Sequence, residues 1–159
     1  MPDGPRRTCH DRPVAVFSLE RTVPLVPDEA WRRLTRWERH GDTVLLTRVT
    51  AGPPGPTRRG TLVVARTGAG PLAFDDTMEV TVWRPPREDS PGRCRLEKRG
   101  RVVRGWAEIE VGAGPGGRAR VVWREELDVR LLPPFLDGLL AGSGRHVFGR
   151  TVDHLLRHP

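Results

Sequence analysis

The chain has 159 residues, a formal net charge of +7, 36% hydrophobic residues, and 18 Gly and 16 Pro. This length suits one domain with a real core, and the sequence contains neither a run of ~20 apolar residues that could span a membrane nor a signal-peptide pattern. We therefore predict a cytoplasmic protein with a flexible leader at residues 1–12 and a single domain at residues 13–159.

The positive charge first suggests nucleic-acid binding, because a basic surface attracts phosphates. Of the 27 basic residues, however, only Lys98 is lysine, and the arginines are spread along predicted strands and turns. The chain also has no Tyr and few other aromatic residues on which bases could stack. We therefore do not expect nucleic acid as a partner.

The cysteines and histidines do not predict a metal site. Cys9 falls in the leader and Cys94 within a predicted strand, so both are expected to be free thiols. His146 and His154 lie eight residues apart on a predicted helix, too far to chelate one metal as an i, i+4 pair could. The sequence also lacks a phosphate-binding loop and a nucleophile motif. We expect no metal and no cofactor.

Most of the chain predicts β-strands. Alternating polarity indicates a first strand at residues 14–23, and the following segment AWRRLTRWERHGD predicts two short helices, or one with a bend. Turn-rich loops then separate six more strands, at residues 43–50, 61–67, 74–83, 93–99, 101–111 and 118–131. The highly charged strand at 93–99 is expected near a sheet edge. The short connections predict an antiparallel sheet.

The last part of the chain predicts one long amphipathic helix over residues 133–156. Pro133 and Pro134 suit a first helical turn, where a missing amide donor costs nothing. One side of the helix collects these residues at helical spacing: Leu136, Leu140, Gly144, Val147, Phe148, Thr151, Val152 and Leu155. Because each glycine weakens a helix interior by about 1 kcal/mol, the Gly-Ser-Gly segment at residues 142–144 predicts a kink or hinge. This helix is the only element large enough to cover one face of the sheet.

This order of elements and several particular stretches resemble a known family. The stretches are VPDEAWRRLTRWERHGD, GTLVVARTG, PLAFDDTMEVTVWRPP, CRLEKRGRVVRG and VFGRTVDHLL. Over about residues 14–157 the chain resembles the START-related superfamily called SRPBCC, especially its polyketide cyclase/dehydrase-like branch. The resemblance implies an α+β helix-grip fold, in which a curved seven-stranded antiparallel sheet wraps around a long C-terminal helix. It also implies a cavity for a hydrophobic small molecule, such as a lipid, a sterol or an aromatic polyketide. Some members of the family catalyse cyclisation or dehydration in that cavity.

Strand phase selects the side chains that would face such a cavity, because alternate residues point to one face. The candidates on strands are Phe74, Asp76, Met78, Val80, Trp123, Glu125 and Leu127, and those on the terminal helix are Phe148, Thr151, Val152 and Leu155. Arg66 shares its phase with Leu62 and Val64, so it could place a guanidinium under a ligand carboxylate or phenolate. The alternative for Arg66 is an ion pair with an acidic neighbour in the sheet.

Two carboxylates are the most informative polar candidates. Glu125 interrupts an apolar row, where an inward carboxylate is costly unless it is paired, wet or protonated. Three interpretations of Glu125 therefore stay open: an internal salt bridge, a strand twist that lets the side chain reach solvent, or a role in orienting a ligand or in acid–base chemistry. Asp76 is a better cavity candidate than Asp75 because it shares its phase with Met78, although a surface or turn role is the simpler interpretation. A position at the cavity mouth is one interpretation of His40.

These observations leave three hypotheses of different classes. The first is a protein that binds an apolar or aromatic small molecule mainly by apolar burial. The second is a cyclase or dehydratase in which Glu125, Asp76 or Arg66 performs acid–base chemistry or stabilises an enolate. The third is a basic interaction module, whose binding would depend steeply on salt. Nothing in the sequence specifies an oligomeric state.

Overall fold

The computed structural model describes residues 15–129 and 137–158. Its elements in chain order are β1 (Ala15–Val23), α1 (Pro27–Leu34), a 3-10 helix (Trp37–Thr43), β2 (Thr47–Gly52), β3 (Leu62–Thr67), β4 (Phe74–Arg84), β5 (Gly92–Arg99), β6 (Val103–Ala113), β7 (Ala119–Val129) and α2 (Asp137–Arg157). The predicted order of seven strands, two short helices after the first strand and a long terminal helix is confirmed. The predicted leader and the predicted helix start at Pro133 lie outside the described residues.

The strands form one antiparallel sheet in the order β1-β7-β6-β5-β4-β3-β2. From β2 to β7 each strand pairs with the next strand along the chain, so the turns predicted from Gly and Pro build most of the sheet. β1 closes it by pairing along β7. The inner face of this sheet is covered by α1, the 3-10 helix and α2.

β5 lies in the middle of the sheet, so the prediction that this charged strand lies near an edge is wrong. Its side chains alternate between buried and partly exposed, with Gly92, Cys94, Leu96 and Lys98 on the buried side. The arginines of the other side pair with acids on neighbouring strands, as in the contact of 2.7 Å between Arg93 and Glu108. A central strand can therefore carry many charges when one of its faces is wet and offers counter-charges.

β6 bends at Gly105, which has a φ of 120°, a value that favours glycine. A Cβ on this residue would lie 2.0 Å from the carbonyl oxygen of Glu126 on β7, so only glycine allows the strands to approach this closely. The register between β4 and β5 also shifts between Val80 and Val82, as it does at a β-bulge, and such irregularities generally allow a strand to bend.

α2 packs its last turns into the core, where Val152, Leu155 and Leu156 are buried. Arginines from other elements hold its C-terminal end. Arg33 donates to the carbonyl oxygen of Leu156 at 2.8 Å, and Arg21 forms a 2.8 Å ion pair with Asp153. Cations at this end also complement the helix dipole.

α2 continues as a single helix from Asp137 to Arg157, so the Gly-Ser-Gly segment at residues 142–144 does not interrupt it. The predicted kink at this segment stays a prediction. Glycine lowers helix stability but keeps its N–H, so unlike proline it leaves the hydrogen-bond ladder complete. Val147, which was predicted on the apolar side of the helix, is not buried, since 39% of its surface is exposed. No described helix is long and apolar enough to cross a membrane.

Candidate ligand-binding cavity

A cavity of about 240 Å³ lies between the inner face of the sheet and the covering helices. Its wall consists of Trp37, His40, Val44, Thr47, Val49, Val63, Ala65, Thr67, Phe74, Asp76, Met78, Leu96, Lys98, Val103, Ala107, Trp123, Glu125, Leu127 and Phe148. Most of these side chains are apolar, and the three charged ones gather at one place. Larger depressions of about 590 and 730 Å³ elsewhere on the described surface are lined by loops and by the neighbouring ends of strands and helices, without this aromatic wall.

Most of the side chains selected by strand phase reach this cavity. Those that line it are Phe74, Asp76, Met78, Trp123, Glu125, Leu127 and Phe148. Val80, Thr151, Val152 and Leu155 are buried in the packed core instead. The hydroxyl of Thr151 is used within the protein, since it donates to the carbonyl oxygen of Val147 at 3.1 Å and lies 2.6 Å from the hydroxyl of Thr43. A ligand-binding role for these residues stays a prediction.

Arg66 does not face the cavity, so the prediction that its side of β3 points inward is wrong. Val63 and Ala65 point inward, while Arg66 is exposed and lies 3.5 Å from Asp75 on the outer face. The error has a physical reason. Both phases of β3 are apolar, with Leu62 and Val64 on one face and Val63 and Ala65 on the other, so alternation alone does not specify which face is buried.

The polar end of the cavity is a cluster of three charged side chains, which we call the inner triad: Asp76, Lys98 and Glu125. Lys98 Nζ lies 2.7 Å from Asp76 Oδ2 and 3.2 Å from Glu125 Oε1. The side chains of Lys98 and Glu125 are only 3% and 1% exposed, and that of Asp76 is 15% exposed. The indole Nε1–H of Trp123 donates to Glu125 Oε2 at 3.0 Å.

The register of the sheet brings the inner triad together across three strands. Lys98 on β5 pairs with Met78 on β4 and with Gly105 on β6. The next inward residue of β6 is Ala107, which pairs with Glu125 on β7. Because β6 presents only a glycine and a methyl group here, no large side chain stands between the Lys98 ammonium and the Glu125 carboxylate.

Burial controls the protonation of the inner triad. Loss of solvent raises the pKa of Glu125, and the Lys98 ammonium and the Trp123 N–H oppose this rise without cancelling it. For Lys98, burial alone would lower the pKa, but Glu125 and Asp76 outweigh it and the pKa is raised. Lys98 is therefore an ammonium, and Glu125 binds a proton more readily than an ordinary glutamate does. Protonation of Glu125 takes the triad from a net charge of −1 to zero.

One oxygen of the inner triad has no partner. Asp76 Oδ1 is enclosed by the protein, and no donor among the described residues reaches it. Buried acceptors are rarely left in this state, because an unmade hydrogen bond in a desolvated site is costly. Asp76 lines the cavity, so a turn of its carboxylate would present this unused acceptor to a hydrogen-bond donor there.

An aromatic wall faces this polar end from the helix side. The ring of His40 lies 5.5 Å from that of Trp37 and 5.8 Å from that of Trp123, and Trp123 lies 6.0 Å from Phe148. His40 Nε2 donates to the carbonyl oxygen of Leu34 at 2.8 Å, which leaves Nδ1 as the acceptor of the neutral ring. Burial lowers the pKa of His40 despite this carbonyl, so the neutral form is favoured.

Lys98 is the central residue that the sequence reasoning missed. Its signal was present, because it is the single lysine among 27 basic residues and shares its phase with the apolar Cys94 and Leu96.

Cys94 lies on the same buried side, where burial raises the pKa of its thiol to about 12 and makes it unreactive at neutral pH. Among the described residues, no group of His, Cys, Asp and Glu side chains could hold a metal ion.

Comparisons with known proteins place the fold. No protein-family model and no curated protein matches the sequence. Among solved structures, the chain is similar to Ara h 8.0201, with a TM-score of 0.59, 12% identity, and coverage of 91% of this chain and 99% of that one. It is also similar to TTHA0849 from Thermus thermophilus, with a TM-score of 0.58, 18% identity, and coverage of 89% of this chain and 92% of that one.

A third similar structure is the Zhui aromatase/cyclase from Streptomyces sp. R1128, with a TM-score of 0.53, 18% identity, and coverage of 89% of this chain and 86% of that one. All three matches span nearly the whole described chain, and at such low identities they inform on the fold alone. Together with the seven-stranded sheet and its terminal helix, they confirm the helix-grip fold that the resemblance implied. The chain has a helix-grip fold.

Proposed function

We propose that the protein binds a small apolar or aromatic molecule in the cavity between the sheet and α2. The observation that carries this proposal is the apolar cavity of about 240 Å³ with an aromatic wall and a single polar end. Ligand sites are typically of this kind, mostly apolar with a few convergent polar groups. The helix-grip fold, which is typical of hydrophobic-ligand binding, supports the same conclusion.

The size of the cavity favours a molecule of one or two rings. A cavity of about 150 Å³ holds benzene, whereas sites for drug-sized ligands range from about 300 to 1,000 Å³. A fused two-ring molecule of about ten heavy atoms would bury nearly all of its surface here. Its dissociation constant should then lie between about 1 and 100 µM, because only part of the gain from burial remains after the cost of ordering.

A titration with 2-naphthol, followed by calorimetry and by quenching of tryptophan fluorescence, tests this proposal. Ala65→Phe places a ring inside the cavity and should weaken binding at least about tenfold, since the ligand and the new ring cannot share the space. Val64→Phe is the matched control, because the neighbouring residue points to the other face of β3. The proposal is wrong if no two-ring probe binds the wild type and native mass spectrometry finds no co-purifying molecule.

A second candidate function is a dehydration reaction, and the convergence of the inner triad on one cavity specifically favours it. Asp76 presents an unpartnered carboxylate oxygen that could act as a base, and Glu125 has a raised pKa that suits a proton donor. In a β-hydroxyketone, Asp76 would take the proton next to the ketone while the new C=C bond forms. The C–O bond then breaks, and the oxygen leaves as water with the proton of Glu125. One proton is taken and one is given, so the total protonation of the triad is unchanged.

The probe for this second candidate is 3-hydroxy-1-tetralone, a two-ring β-hydroxyketone whose loss of water and tautomerisation give fluorescent 1-naphthol. Asp76→Asn and Glu125→Gln should each lower the rate at least about 100-fold, at the lower end of acid–base contributions. Asp75→Asn and Glu126→Gln are the matched controls on the opposite face, and they should leave the rate unchanged. A wild-type rate equal to that of buffer would exclude this reaction and leave the binding proposal intact.

A further inference from the structure

In the inner triad, some hydrogen-bonding groups have partners and others do not, unlike in an ordinary buried salt bridge. A lysine ammonium has three N–H donors. Lys98 Nζ directs them toward Asp76 Oδ2 at 2.7 Å, Glu125 Oε1 at 3.2 Å and the sulfur of Met78 at 3.6 Å. The cation therefore has no donor left for a ligand. Its charge is also already opposed by two carboxylates.

The acceptors of the inner triad are used unequally. Both oxygens of Glu125 have partners, Oε1 in Lys98 and Oε2 in the indole N–H of Trp123. Asp76 has a partner only at Oδ2. Its Oδ1 is the one buried side-chain nitrogen or oxygen in the described part of the chain without a hydrogen bond. The inner triad thus has one unused acceptor, which a turn of the Asp76 carboxylate would present to the cavity that it lines, and no free cationic donor.

We propose, resting on the proposed function, that the cavity selects neutral ligands that carry a hydroxyl or phenol group, whose O–H donates to Asp76 Oδ1. A donor on the ligand completes the hydrogen bonding of the triad, and a bond to a carboxylate is stronger than one between neutral groups. A ligand with a carboxylate would instead meet two carboxylates and a cation without free donors. A hydrocarbon would leave Asp76 Oδ1 without a hydrogen bond. The apolar ring of the ligand would lie among the aliphatic and aromatic side chains of the wall.

The test uses four two-ring probes that differ in one substituent: naphthalene, 2-methoxynaphthalene, 2-naphthol and 2-naphthoate. Only 2-naphthol donates a hydrogen bond at neutral pH. It should bind the wild type about 10 to 100 times more tightly than naphthalene or 2-methoxynaphthalene, the range expected for a hydrogen bond to a charged group. The anionic 2-naphthoate should bind most weakly.

Asp76→Asn sharpens the test, because an amide has one acceptor and one donor side. Its oxygen should face the Lys98 ammonium, which turns the N–H₂ group toward the ligand. The preference for 2-naphthol over 2-methoxynaphthalene should then fall about tenfold or more, since the ether oxygen can now accept. Asp75→Asn is the matched control, because this neighbour lies on the outer face beside Arg66, and it should keep the wild-type preference.

The outcomes separate this inference from the proposed function. Binding of all three uncharged probes with equal affinity would overturn the inference, since water would then satisfy Asp76 Oδ1, and it would leave the binding function standing. Tighter binding of 2-naphthoate than of 2-naphthol would also overturn it. Failure of every probe would overturn this inference, and together with the absence of a co-purifying molecule it would defeat the proposed function itself. The comparison among probes needs only the wild-type protein, so it remains decisive even where Asp76→Asn does not fold.

Discussion

Each face of the sheet holds a charge cluster, and the two clusters are near opposites. On the outer face, which we call the outer cluster, Glu108 is contacted by three arginines: Arg93 at 2.7 Å, Arg124 at 3.3 Å and Arg95 at 3.6 Å. On the inner face, the single cation Lys98 lies between two carboxylates. One cluster surrounds an anion with cations in contact with water, and the other surrounds a cation with anions inside a cavity.

The two clusters differ in solvent exposure, and this decides where a ligand or a proton can change the interactions. The side chains of Arg93 and Arg124 are 49% and 41% exposed, so water can take the N–H groups that Glu108 does not use. Because these arginines are exposed, each pair should contribute less to stability than a fully buried one, although the Glu108 side chain itself is only 7% exposed. The inner triad is far less exposed, at 15% for Asp76 and 3% or less for Lys98 and Glu125, so its charged groups depend on one another, on a ligand or on a change of protonation. The following changes test this contrast, from the largest expected effect to the smallest.

Removing the inner cation should lower the free energy of unfolding the most. Lys98→Met leaves Asp76 and Glu125 buried without a counter-charge, and breaking a buried pair in this way typically costs about 3–5 kcal/mol. Urea unfolding measures the loss. The triple variant Lys98→Met, Asp76→Asn, Glu125→Gln, which removes every charge of the triad, should recover most of it. A loss below about 1 kcal/mol for Lys98→Met would mean that the inner triad is no more sensitive than a surface pair.

Removing one donor from the inner triad should have an intermediate effect. Trp123→Phe keeps most of the aromatic packing but deletes the N–H that binds Glu125 Oε2 at 3.0 Å. We expect a loss of about 1–2 kcal/mol in the free energy of unfolding, because a buried acceptor loses its partner. Trp106→Phe, in which the ring lies on the outer face under Arg95, is the control and should cost less. Equal losses would contradict a specific role for the Trp123 N–H.

Glu125→Gln should change how stability depends on pH. The raised pKa of Glu125 means that the folded protein binds this proton more tightly than the unfolded chain does. The stabilisation is therefore fully present below the unfolded value of about 4.3 and is lost as pH rises through the folded pKa. Relative to wild type, Glu125→Gln should be near neutral at about pH 4 and should become progressively more stable as pH rises above it.

Urea unfolding at several pH values from about 4 to 8 measures this trend. Glu126→Gln, one residue along and on the outer face, should show no comparable trend. If Glu125→Gln instead became less stable than wild type as pH rises, the Lys98 ion pair would outweigh the cost of burying the carboxylate.

The outer cluster should give the smallest effect and the only one that depends strongly on salt. A double-mutant cycle for Arg93→Gln and Glu108→Gln should give a coupling of about 1 kcal/mol or less. This coupling should shrink in about 1 M NaCl, where the Debye length is ~3 Å. The loss caused by Lys98→Met should remain nearly constant in the same salt. Equal salt sensitivity of both would remove the distinction between the two clusters.

The alternation of polar and apolar residues predicted the inward face of a strand well wherever only one of its two faces was apolar. On β7 it selected Trp123, Glu125 and Leu127, all of which line the cavity. It also indicated that Glu125 would need a partner, a proton or water. On β3 both phases were apolar, and the choice of Arg66 was wrong. The phase of a strand can be predicted only where its two faces differ.

The partner of Glu125 could not be predicted in the same way. Lys98 stands in a run of charged residues that suggested an edge strand, and it reaches Asp76 across 22 positions of sequence. That contact depends on the β4–β5 register, and the contact with Glu125 depends on the absence of a large side chain on β6. Neither fact is local. His40 likewise joins the aromatic wall only because the 3-10 helix, which contacts β2 and α2, brings its ring within 5.8 Å of Trp123 on β7.

By itself, the sequence determined the order of the elements, the antiparallel sheet, the long terminal helix and the inward carboxylate of β7. These follow from periodicity and turn residues, which act over a few positions. Only the tertiary structure decided that β5 is central, that α2 continues through residues 142–144, and that Asp76, Lys98 and Glu125 meet at one end of an apolar cavity. Such contacts form between distant segments, and their geometry depends on register and packing, which local patterns do not encode.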